Sequence, residues 1–345
     1  MRTDDLRIAR SHPLLTPAIL ADEVPLTDTA AASVTAARQT LEAILDGRDR
    51  RPFVVVGPCS IHDTRAALEY AERLKPLADE VADALFIVMR VYFEKPRTVM
   101  GWKGLINDPD LDESFRINKG LRQARGLLAD LADLGLPAGT EFLDTTFGQF
   151  YTDLVSWGAI GARTVESQIH RELGSGLSMP VGMKNRTDGN VQAAVDAIVA
   201  ASQRHLFPSL TKDGAPAIME TTGNPYCHLV LRGGAETGPN HDAESVAEAL
   251  ALLRDAGLPE HLMIDCSHGN SQKDPARQPG IMDDAGRRIR QGGSGIKGLM
   301  VESHLAAGKQ DPHQQPLTYG QSITDACLGF EDTRAALLRL AETIG

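Results

Sequence analysis

Short apolar runs rich in Val and Ile alternate with amphipathic helical segments along almost the whole of this chain. The predicted pairs of strand and helix are 53–59 with 64–80, 85–92 with 113–133, 138–143 with 147–156, 159–164 with 167–173, 179–185 with 191–202, 227–231 with 243–256, 262–266 with 280–291, and 296–301 with 332–344. Such alternation is typical of a parallel sheet covered by helices. About eight units favour a (β/α)8 barrel of the α/β class, with a doubly wound sheet as the alternative. No G-x-G-x-x-G follows the first strand, which weakens the dinucleotide-binding version of the doubly wound sheet.

The two ends of the pattern predict a simple division of the chain. Residues 1–50 are polar and Ala-rich and contain one predicted helix, 27–45, so we interpret them as an N-terminal extension. Residues 51–345 then form the barrel, and the segment 215–220 is predicted to be a strand of a small extra hairpin.

Charge and cysteine content exclude several classes of protein. A formal net charge of −11 argues against nucleic acid or an anionic membrane as a partner, because both favour basic surfaces. Four cysteines in 345 residues are too few for a disulfide scaffold. The chain has neither an apolar signal region at its N-terminus nor a span of about 20 apolar residues. We therefore expect a soluble, cytoplasmic protein with reduced thiols.

The segment Leu85–Gly104 combines a buried strand with a basic loop. Arg90 interrupts the apolar run, and Lys95 and Arg97 then flank Pro96. An anion site and a solvated basic loop are equally compatible with this segment taken by itself.

Comparison of all the strand ends favours the anion site. In a barrel, catalytic residues come from the carboxyl ends of several strands. The residues found there are Cys59, Arg90, Glu141, Arg163, Lys184, Arg232, His268 and Glu302, with Asp325 in the loop before the last helix. Each alone has a plausible structural role, as a small buried hydrophobe, a core histidine or an ion pair. Eight such residues at eight strand ends are hard to ascribe to chance.

These residues and the basic loop form two chemical groups. Six are cations, more than one phosphate can use, and they predict two anionic groups: Arg90, Lys95, Arg97, Arg163, Lys184 and Arg232. The other group is a mixed S, N and O set suited to a divalent transition metal: Cys59, His268, Glu302 and Asp325. Their spacing along the chain lends no support, so the metal site depends on the barrel to bring them together.

Long motifs then relate the chain to a known family. They are VVVGPCSIHD (54–63), VMRVYFEKPRTVMGWKGLINDP (88–109), GTEFLD (139–144), SWGAIGARTVESQIHRELGSGLSMPVGMKN (156–185), LRGG (231–234), IDCSHGNS (264–271), VESHL (301–305) and YGQSITDAC (319–327). Together with DDLRI (4–8), they resemble the type I 3-deoxy-7-phosphoheptulonate synthases of the shikimate pathway. The resemblance implies a (β/α)8 barrel that condenses phosphoenolpyruvate with erythrose 4-phosphate, releases phosphate and needs a divalent metal.

The resemblance also implies roles for individual residues. The metal ligands fall on Cys59, His268, Glu302 and Asp325, with Mn2+ favoured and Fe2+, Co2+ or Zn2+ possible. The phosphoenolpyruvate contacts fall on Arg90, Lys95, Arg163, Lys184 and Arg232, with Glu141 and Ala162 nearby. Arg97 and Thr98 correspond to aldose phosphate contacts, and Lys95 lies between the two substrates. The residues expected to act in catalysis are Lys95, His268 and Asp325; the general acid stays open between a metal-bound water, His268 and Lys95.

Regulated members of the family bind an aromatic amino acid away from the active site. Asp5 of the DDLRI match, Gln149, Ser178 and Ser209 favour such an effector site here. However, the stretch 145–148 lacks the proline that the family usually has just before this glutamine, so the effector stays open. Assembly as a homodimer or homotetramer is likewise implied by the resemblance.

Two other functions are compatible with the sequence. One is a related synthase of the same fold that joins phosphoenolpyruvate to a different aldose, such as arabinose 5-phosphate. The other is a catalytically dead barrel kept as a binding protein. The presence of every expected cation and metal ligand argues against it. Service in primary or in specialised aromatic metabolism also stays open.

Overall fold

Eight parallel strands close into a barrel, as the sequence predicts. The computed structural model describes residues 3–97 and 99–345. The strands are β1 (Phe53–Gly57), β2 (Phe86–Arg90), β3 (Ala138–Glu141), β4 (Trp157–Ile160), β5 (Val181–Lys184), β6 (Leu206–Leu210), β7 (Pro216–Glu220), β8 (Cys227–Leu231), β9 (Leu262–Asp265) and β10 (Ile296–Glu302). The barrel order is β1-β10-β9-β8-β5-β4-β3-β2, whereas β6 and β7 form a separate antiparallel hairpin.

Helices follow the barrel strands and cover them. They are α1 (Pro17–Glu23), α2 (Asp28–Leu45), α3 (Thr64–Glu80), α4 (Ile117–Asp133), α5 (Gln168–Gly176), α6 (Gln192–Ala201), α7 (Ala243–Asp255), α8 (Gln278–Gln291) and α9 (Phe330–Ile344). The N-cap of α3 is Asp63, whose side chain accepts hydrogen bonds from the backbone N–H groups of Arg65 and Ala66. All five residues of β1 are buried, as expected for a continuous apolar strand. Because the barrel strands are parallel, their carboxyl ends meet at one end of the barrel.

Four local predictions are wrong in detail. Residues 147–156 do not form a helix but two short 3-10 segments, Phe147–Phe150 and Thr152–Leu154. Asp144 Oδ1 accepts the N–H groups of Thr146 and Phe147, a local turn that competes with a regular helix. The fourth barrel strand is 157–160 instead of 159–164, since Gly161 ends the ladder. The N-terminal extension holds two helices instead of one, and the hairpin strand β6, which pairs with the predicted strand β7, had not been predicted.

A buried arginine ties the N-terminal extension to the barrel. Arg125 on α4 donates to the carbonyl groups of Val24 (2.8 Å) and Phe150 (2.9 Å) and pairs with Asp153 at 2.7 Å. The boundary between residues 1–50 and 51–345 stays a prediction. Across residues 3–97 and 99–345, every helix is too short or too polar to cross a membrane.

Candidate active site

The carboxyl ends of the barrel strands surround a cavity of about 1090 Å3. Arg90, Glu141, Lys184 and Glu302 are each the last residue of a strand. The other predicted positions lie in the loops that follow strands: Cys59, Arg163, Arg232 and His268. Nine cations line the cavity, three of which the sequence analysis missed: Arg90, Lys95, Arg97, Lys103, Arg163, Lys184, Arg232, Lys273 and Lys309.

Three of the four predicted metal ligands lie together. The ligand atoms of Cys59, Glu302 and Asp325 are all within 4.8 Å of one another. Cys59 and Glu302 are buried, and Asp325 is half-buried. A cysteine sulfur and two carboxyl groups converging this closely are a donor set that could hold a divalent cation.

His268 is adjacent to this cluster without being one of the three. Its Nε2 lies 3.6 Å from Glu302 Oε1, so the imidazole faces the cluster. Its Nδ1 lies 2.9 Å from Asp265 Oδ2 and 2.7 Å from Ser267 Oγ. His268 has φ of 54°, a left-handed backbone conformation that is uncommon outside glycine and is often found at functional sites. The four side chains fit a borderline transition metal, and the assignment of each as a ligand stays a prediction.

The surroundings of Cys59 disfavour a free thiolate. Burial raises the pKa of the Cys59 thiol and Glu302 raises it further, whereas Lys95 and Arg90 oppose the rise. A divalent cation would reverse this balance, because metal ligation deprotonates a thiol.

Lys95 joins the cationic group to the metal-binding cluster. Its Nζ lies 3.2 Å from both Sγ and the carbonyl oxygen of Cys59. Burial alone would lower the pKa of Lys95, but the negative charges of Cys59 and Glu302 outweigh it and the net shift is upward. Lys95 therefore stays an ammonium group beside the predicted metal.

Arg90 lies at the floor of the cavity with its guanidinium group almost fully enclosed. It pairs with Glu302 at 3.0 Å and donates to the carbonyl groups of Pro58 and Cys59. The guanidinium carbon lies 3.5 Å from the centre of the Tyr92 ring. These contacts hold Arg90 in one orientation, with its edge available to the cavity.

Lys184 and its counter-ion reveal a residue that the sequence analysis missed. Lys184 Nζ lies 3.4 Å from Oδ2 of Asp265, which is completely buried at the end of β9. Burial would raise the pKa of Asp265, but His268 and Lys184 outweigh it and hold the pKa well below its usual range. The signal in the sequence was an acidic residue at the end of the apolar run LMID, where His268, three residues later, had been taken as the residue at the strand end.

Arg163 and Arg232 are two cations that stand without carboxylate partners among residues 3–97 and 99–345. Arg163 is exposed and Arg232 half-buried. Burial lowers the pKa of Arg232, Asp265 opposes this shift, and the like charge of Arg163 adds to it, so the net shift is downward. Two guanidinium groups left close together in this way are typical of a site that an anion completes.

Glu141 and Ala162 are the two remaining residues predicted to lie near phosphoenolpyruvate. A side chain at Gly161 would come within 2.2 Å of Glu141 Oε1, so the missing Cβ lets this carboxylate lie against the backbone. Glu141 and Ala162 both line the cavity.

The predicted aldose phosphate site is described in part. Arg97 is exposed at the cavity mouth and donates from Nε to the carbonyl oxygen of Trp102 at 2.7 Å. Thr98 lies outside the described residues.

The predicted effector residues lie away from the cavity lining. Gln149 belongs to the 3-10 segment that contacts α1, Ser209 lies on β6, and Ser178 is exposed after α5. Asp5 is exposed near the N-terminus. Lys212, in the hairpin turn, donates to the carbonyl oxygen of Gln149 at 2.6 Å and accepts from the N–H of Ala18, so the turn bridges the 3-10 segment and α1. A shared effector cavity stays a prediction.

Fold and site together define a class of protein: a (β/α)8 barrel whose cavity combines a cationic cluster with S and O side chains that could hold a metal ion. The family model of the DAHP synthetase I family matches residues 26–338. The chain is 54% identical over 344 residues to "Phospho-2-dehydro-3-deoxyheptonate aldolase, Trp-sensitive" of Escherichia coli K12, covering 99% of this chain and 98% of that protein. It is 55% identical over 344 residues to the protein of the same organism named "Phe-sensitive", with the same coverage.

A solved structure agrees. The phospho-2-dehydro-3-deoxyheptonate aldolase of Francisella tularensis SCHU S4 superposes with a TM-score of 0.96 at 51% identity and covers 98% of both chains. The chain therefore belongs to the DAHP synthetase I family and is an enzyme of that class.

Proposed function

We propose that this chain is a 3-deoxy-D-arabino-heptulosonate 7-phosphate synthase. It condenses phosphoenolpyruvate with erythrose 4-phosphate and water and releases phosphate, as the first step of the shikimate pathway. One observation carries the proposal: Lys95 touches Cys59 at 3.2 Å, so the cationic cluster and the metal-binding cluster share one wall of the cavity. An enzyme that joins an anionic donor to a metal-polarised acceptor needs this adjacency.

The cations on the barrel floor and far wall bind phosphoenolpyruvate. Arg163 and Arg232, two like charges that lie close together, suit its phosphate, because guanidinium groups bind phosphate in forked pairs. Arg90 and Lys184 are fixed by buried acids and suit its carboxylate. Lys95 lies between this substrate and the metal.

Cys59, His268, Glu302 and Asp325 hold the divalent cation, with Mn2+ favoured and Fe2+, Co2+ or Zn2+ compatible with the same donors. When bound, the cation supplies a Lewis acid that polarises the aldehyde of erythrose 4-phosphate. Arg97 and Thr98 bind the phosphate of this aldose at the cavity mouth.

The residues then orient two substrates for one bond. The methylene carbon of phosphoenolpyruvate attacks the aldehyde carbon, and the aldehyde oxygen takes a proton. Lys95, held as an ammonium group beside Cys59, and His268 are the candidates to deliver that proton. Water adds to the neighbouring carbon, where positive charge develops, and the resulting hemiketal phosphate expels inorganic phosphate. The cations that bound the phosphate of the enol phosphate stabilise it as it leaves.

A substrate screen tests the proposal. Phosphate release from phosphoenolpyruvate is measured with erythrose 4-phosphate or with arabinose 5-phosphate, after chelator treatment and addition of Mn2+. We expect release with the four-carbon aldose only. Release with the five-carbon aldose would assign the related synthase, and release with neither would favour a catalytically dead barrel.

Regulation, assembly and location are inferred from the family. The relatives named Trp-sensitive and Phe-sensitive support feedback inhibition by an aromatic amino acid through Asp5, Gln149, Ser178 and Ser209. Titration of activity with phenylalanine, tyrosine and tryptophan identifies the effector. We expect a cytoplasmic homodimer or homotetramer in which residues 1–50 contact a neighbouring subunit.

A further inference from the structure

Asp265 lies between a residue of the predicted metal site, His268, and a residue of the predicted phosphoenolpyruvate site, Lys184. It is the last residue of β9 and is 0% exposed. Its Oδ1 accepts from the N–H of Ser267 at 2.9 Å and from Ser267 Oγ at 2.6 Å. Its Oδ2 lies 2.9 Å from His268 Nδ1 and 3.4 Å from Lys184 Nζ. Oδ2 thus contacts one residue of the predicted metal site and one residue of the predicted phosphoenolpyruvate site.

The contacts of Asp265 determine which nitrogen of His268 carries the hydrogen. An ionised carboxylate only accepts, so His268 Nδ1 must donate to Oδ2. The Ser267 hydroxyl donates its hydrogen to Asp265 Oδ1. Its oxygen can therefore only accept from His268 Nδ1, which lies 2.7 Å away. Nε2 is left with a free lone pair on the side of Glu302, Cys59 and Asp325. A histidine held in this way is prepared to bind a metal.

The same oxygen also fixes Lys184. Besides Asp265, the ammonium group has the sulfur of Met300 at 3.6 Å and the Tyr92 ring at 5.6 Å, and neither carries a charge. Within residues 3–97 and 99–345, the one salt bridge of Lys184 is to Asp265. The charge of Oδ2 is therefore shared between a substrate-binding lysine and a metal-binding histidine.

We propose that Asp265 is a positioning residue that holds His268 in the Nδ1–H tautomer and couples Lys184 to the metal-binding side chains. The inference rests on the proposed function, because it assumes that His268 binds the metal and Lys184 the substrate. Coupling of this kind is reciprocal: a change at Lys184 alters metal affinity through Asp265.

The first test measures metal binding without catalysis. Co2+ is titrated into the metal-free protein and the absorption of the bound ion gives Kd. Asp265→Asn keeps the size of the side chain but offers an amide donor to Nδ1, which favours the wrong tautomer. We expect its Kd to rise roughly 10- to 100-fold, the usual effect of losing the partner of a metal-binding histidine. Circular dichroism and a thermal melt verify that the variant is folded.

Ser267→Ala is the second variant and leaves the carboxylate in place. It removes the hydrogen bond that orients Asp265 and should raise Kd for Co2+ about 2- to 10-fold, the effect of one hydrogen bond. If Asp265→Asn does not fold, Ser267→Ala decides the outcome, since the parent affinity in this variant would overturn the positioning role.

A double-mutant cycle tests the coupling. Lys184→Met should lower Kd for Co2+ several-fold in the parent chain, because Asp265 then interacts with His268 alone. In the Asp265→Asn chain, Lys184→Met should leave Kd unchanged. An equal change in both chains, or no change in either, would overturn the coupling, and a parent affinity in Asp265→Asn would overturn the positioning role. A parent chain that binds no Co2+ would instead refute the metal site of the proposed function.

Discussion

Glu94 shows how strongly a single buried group can depend on its surroundings. It lies beside Lys95, is 3% exposed, and accepts the N–H of Asp144 at 3.2 Å. Burial, together with the nearby negative charge of Asp144, raises the pKa of Glu94 to about 8. The group is therefore largely a neutral acid at neutral pH, in a segment that the sequence marks only as basic.

This raised pKa predicts a pH-dependent stability. The folded state binds a proton that the unfolded state loses near pH 4.5, so the contribution is full below that pH and is lost as the pH rises through about 8. We expect the free energy of unfolding of the parent to fall, relative to Glu94→Gln, by about 1 kcal/mol per pH unit between pH 6 and 8. Melting temperatures of both proteins across this range measure the effect. Parallel curves would show that Glu94 ionises normally.

Under the proposed function, Arg97 and Arg163 contact different substrates. Arg97 is exposed and donates to the carbonyl oxygen of Trp102, and Arg163 lies near Arg232. Arg97→Ala should raise KM for erythrose 4-phosphate at least about 10-fold and KM for phosphoenolpyruvate much less, the scale expected for a lost charged hydrogen bond. Arg163→Ala should show the reverse pattern. Steady-state kinetics with each substrate varied in turn provide the test, and equal effects on both KM values would mean that this division is wrong.

At the scale of elements, helix α4 offers a comparison of buried and exposed ion pairs. The Arg125 side chain is 2% exposed and pairs with Asp153, whereas the Arg122 side chain, on the same helix, is 44% exposed and pairs with Glu23. Both arginines link α4 to residues near α1.

Removing each arginine should have very different consequences. Arg125→Met removes the ion pair with Asp153 and the hydrogen bonds to two carbonyl groups, and we expect a loss of about 3–5 kcal/mol in unfolding free energy. Arg122→Met should cost at most about 1 kcal/mol, since the exposed pair is screened by water. Chemical denaturation of both variants measures the difference. Similar losses would indicate that Arg125 contributes little more than surface charge.

The elements also show what sequence can and cannot predict. The strand β8 was predicted to the residue, and the other barrel strands were predicted with shifted ends, because a continuous apolar run between turn signals has few other structures. The segment after β3 was predicted as a helix but forms 3-10 turns, because the Asp144 carboxylate accepts a hydrogen bond from the backbone N–H of Thr146. The strand β6 alternates weakly and is partly exposed, so it depends on pairing with β7 more than on its own pattern. Strand ends identified Arg90 and Glu302, but the contact between Asp265 and Lys184 joins residues 81 positions apart and required the fold.

At the scale of the whole molecule, the charge of the cavity opposes that of the chain. The protein has a formal net charge of −11, yet the cavity lining holds nine cations against five acids. Lys273 and Lys309 are exposed and lie near Asp325 at its mouth. Such a patch attracts anionic substrates and is screened by salt.

Steering by the mouth lysines predicts a salt effect. The double variant Lys273→Gln/Lys309→Gln should lower kcat/KM for phosphoenolpyruvate several-fold at low ionic strength and converge on the parent near 0.5 M salt, because screening then removes the attraction. Lys75→Gln, on α3 and paired with Asp79, is the matched control and should behave like the parent at every salt concentration. Parallel salt curves for parent and double variant would exclude steering.

Under the proposed function, one cavity joins phosphoenolpyruvate to erythrose 4-phosphate with a metal held by Cys59 and its neighbours. The most direct measurement is product formation from both substrates by chelator-treated protein, before and after titration with Mn2+, in the parent, Cys59→Ser and Cys227→Ser. Cys227 is a buried thiol at the opposite end of the barrel and serves as the control. We predict no product before Mn2+ is added and full recovery in the parent and in Cys227→Ser. In Cys59→Ser, the Mn2+ concentration for half-maximal activity should rise more than about 100-fold, because loss of a residue that only supports a ligand already costs about 10- to 100-fold in metal affinity. Full activity of metal-free parent protein, or of Cys59→Ser at the parent's Mn2+ concentration, would contradict the account.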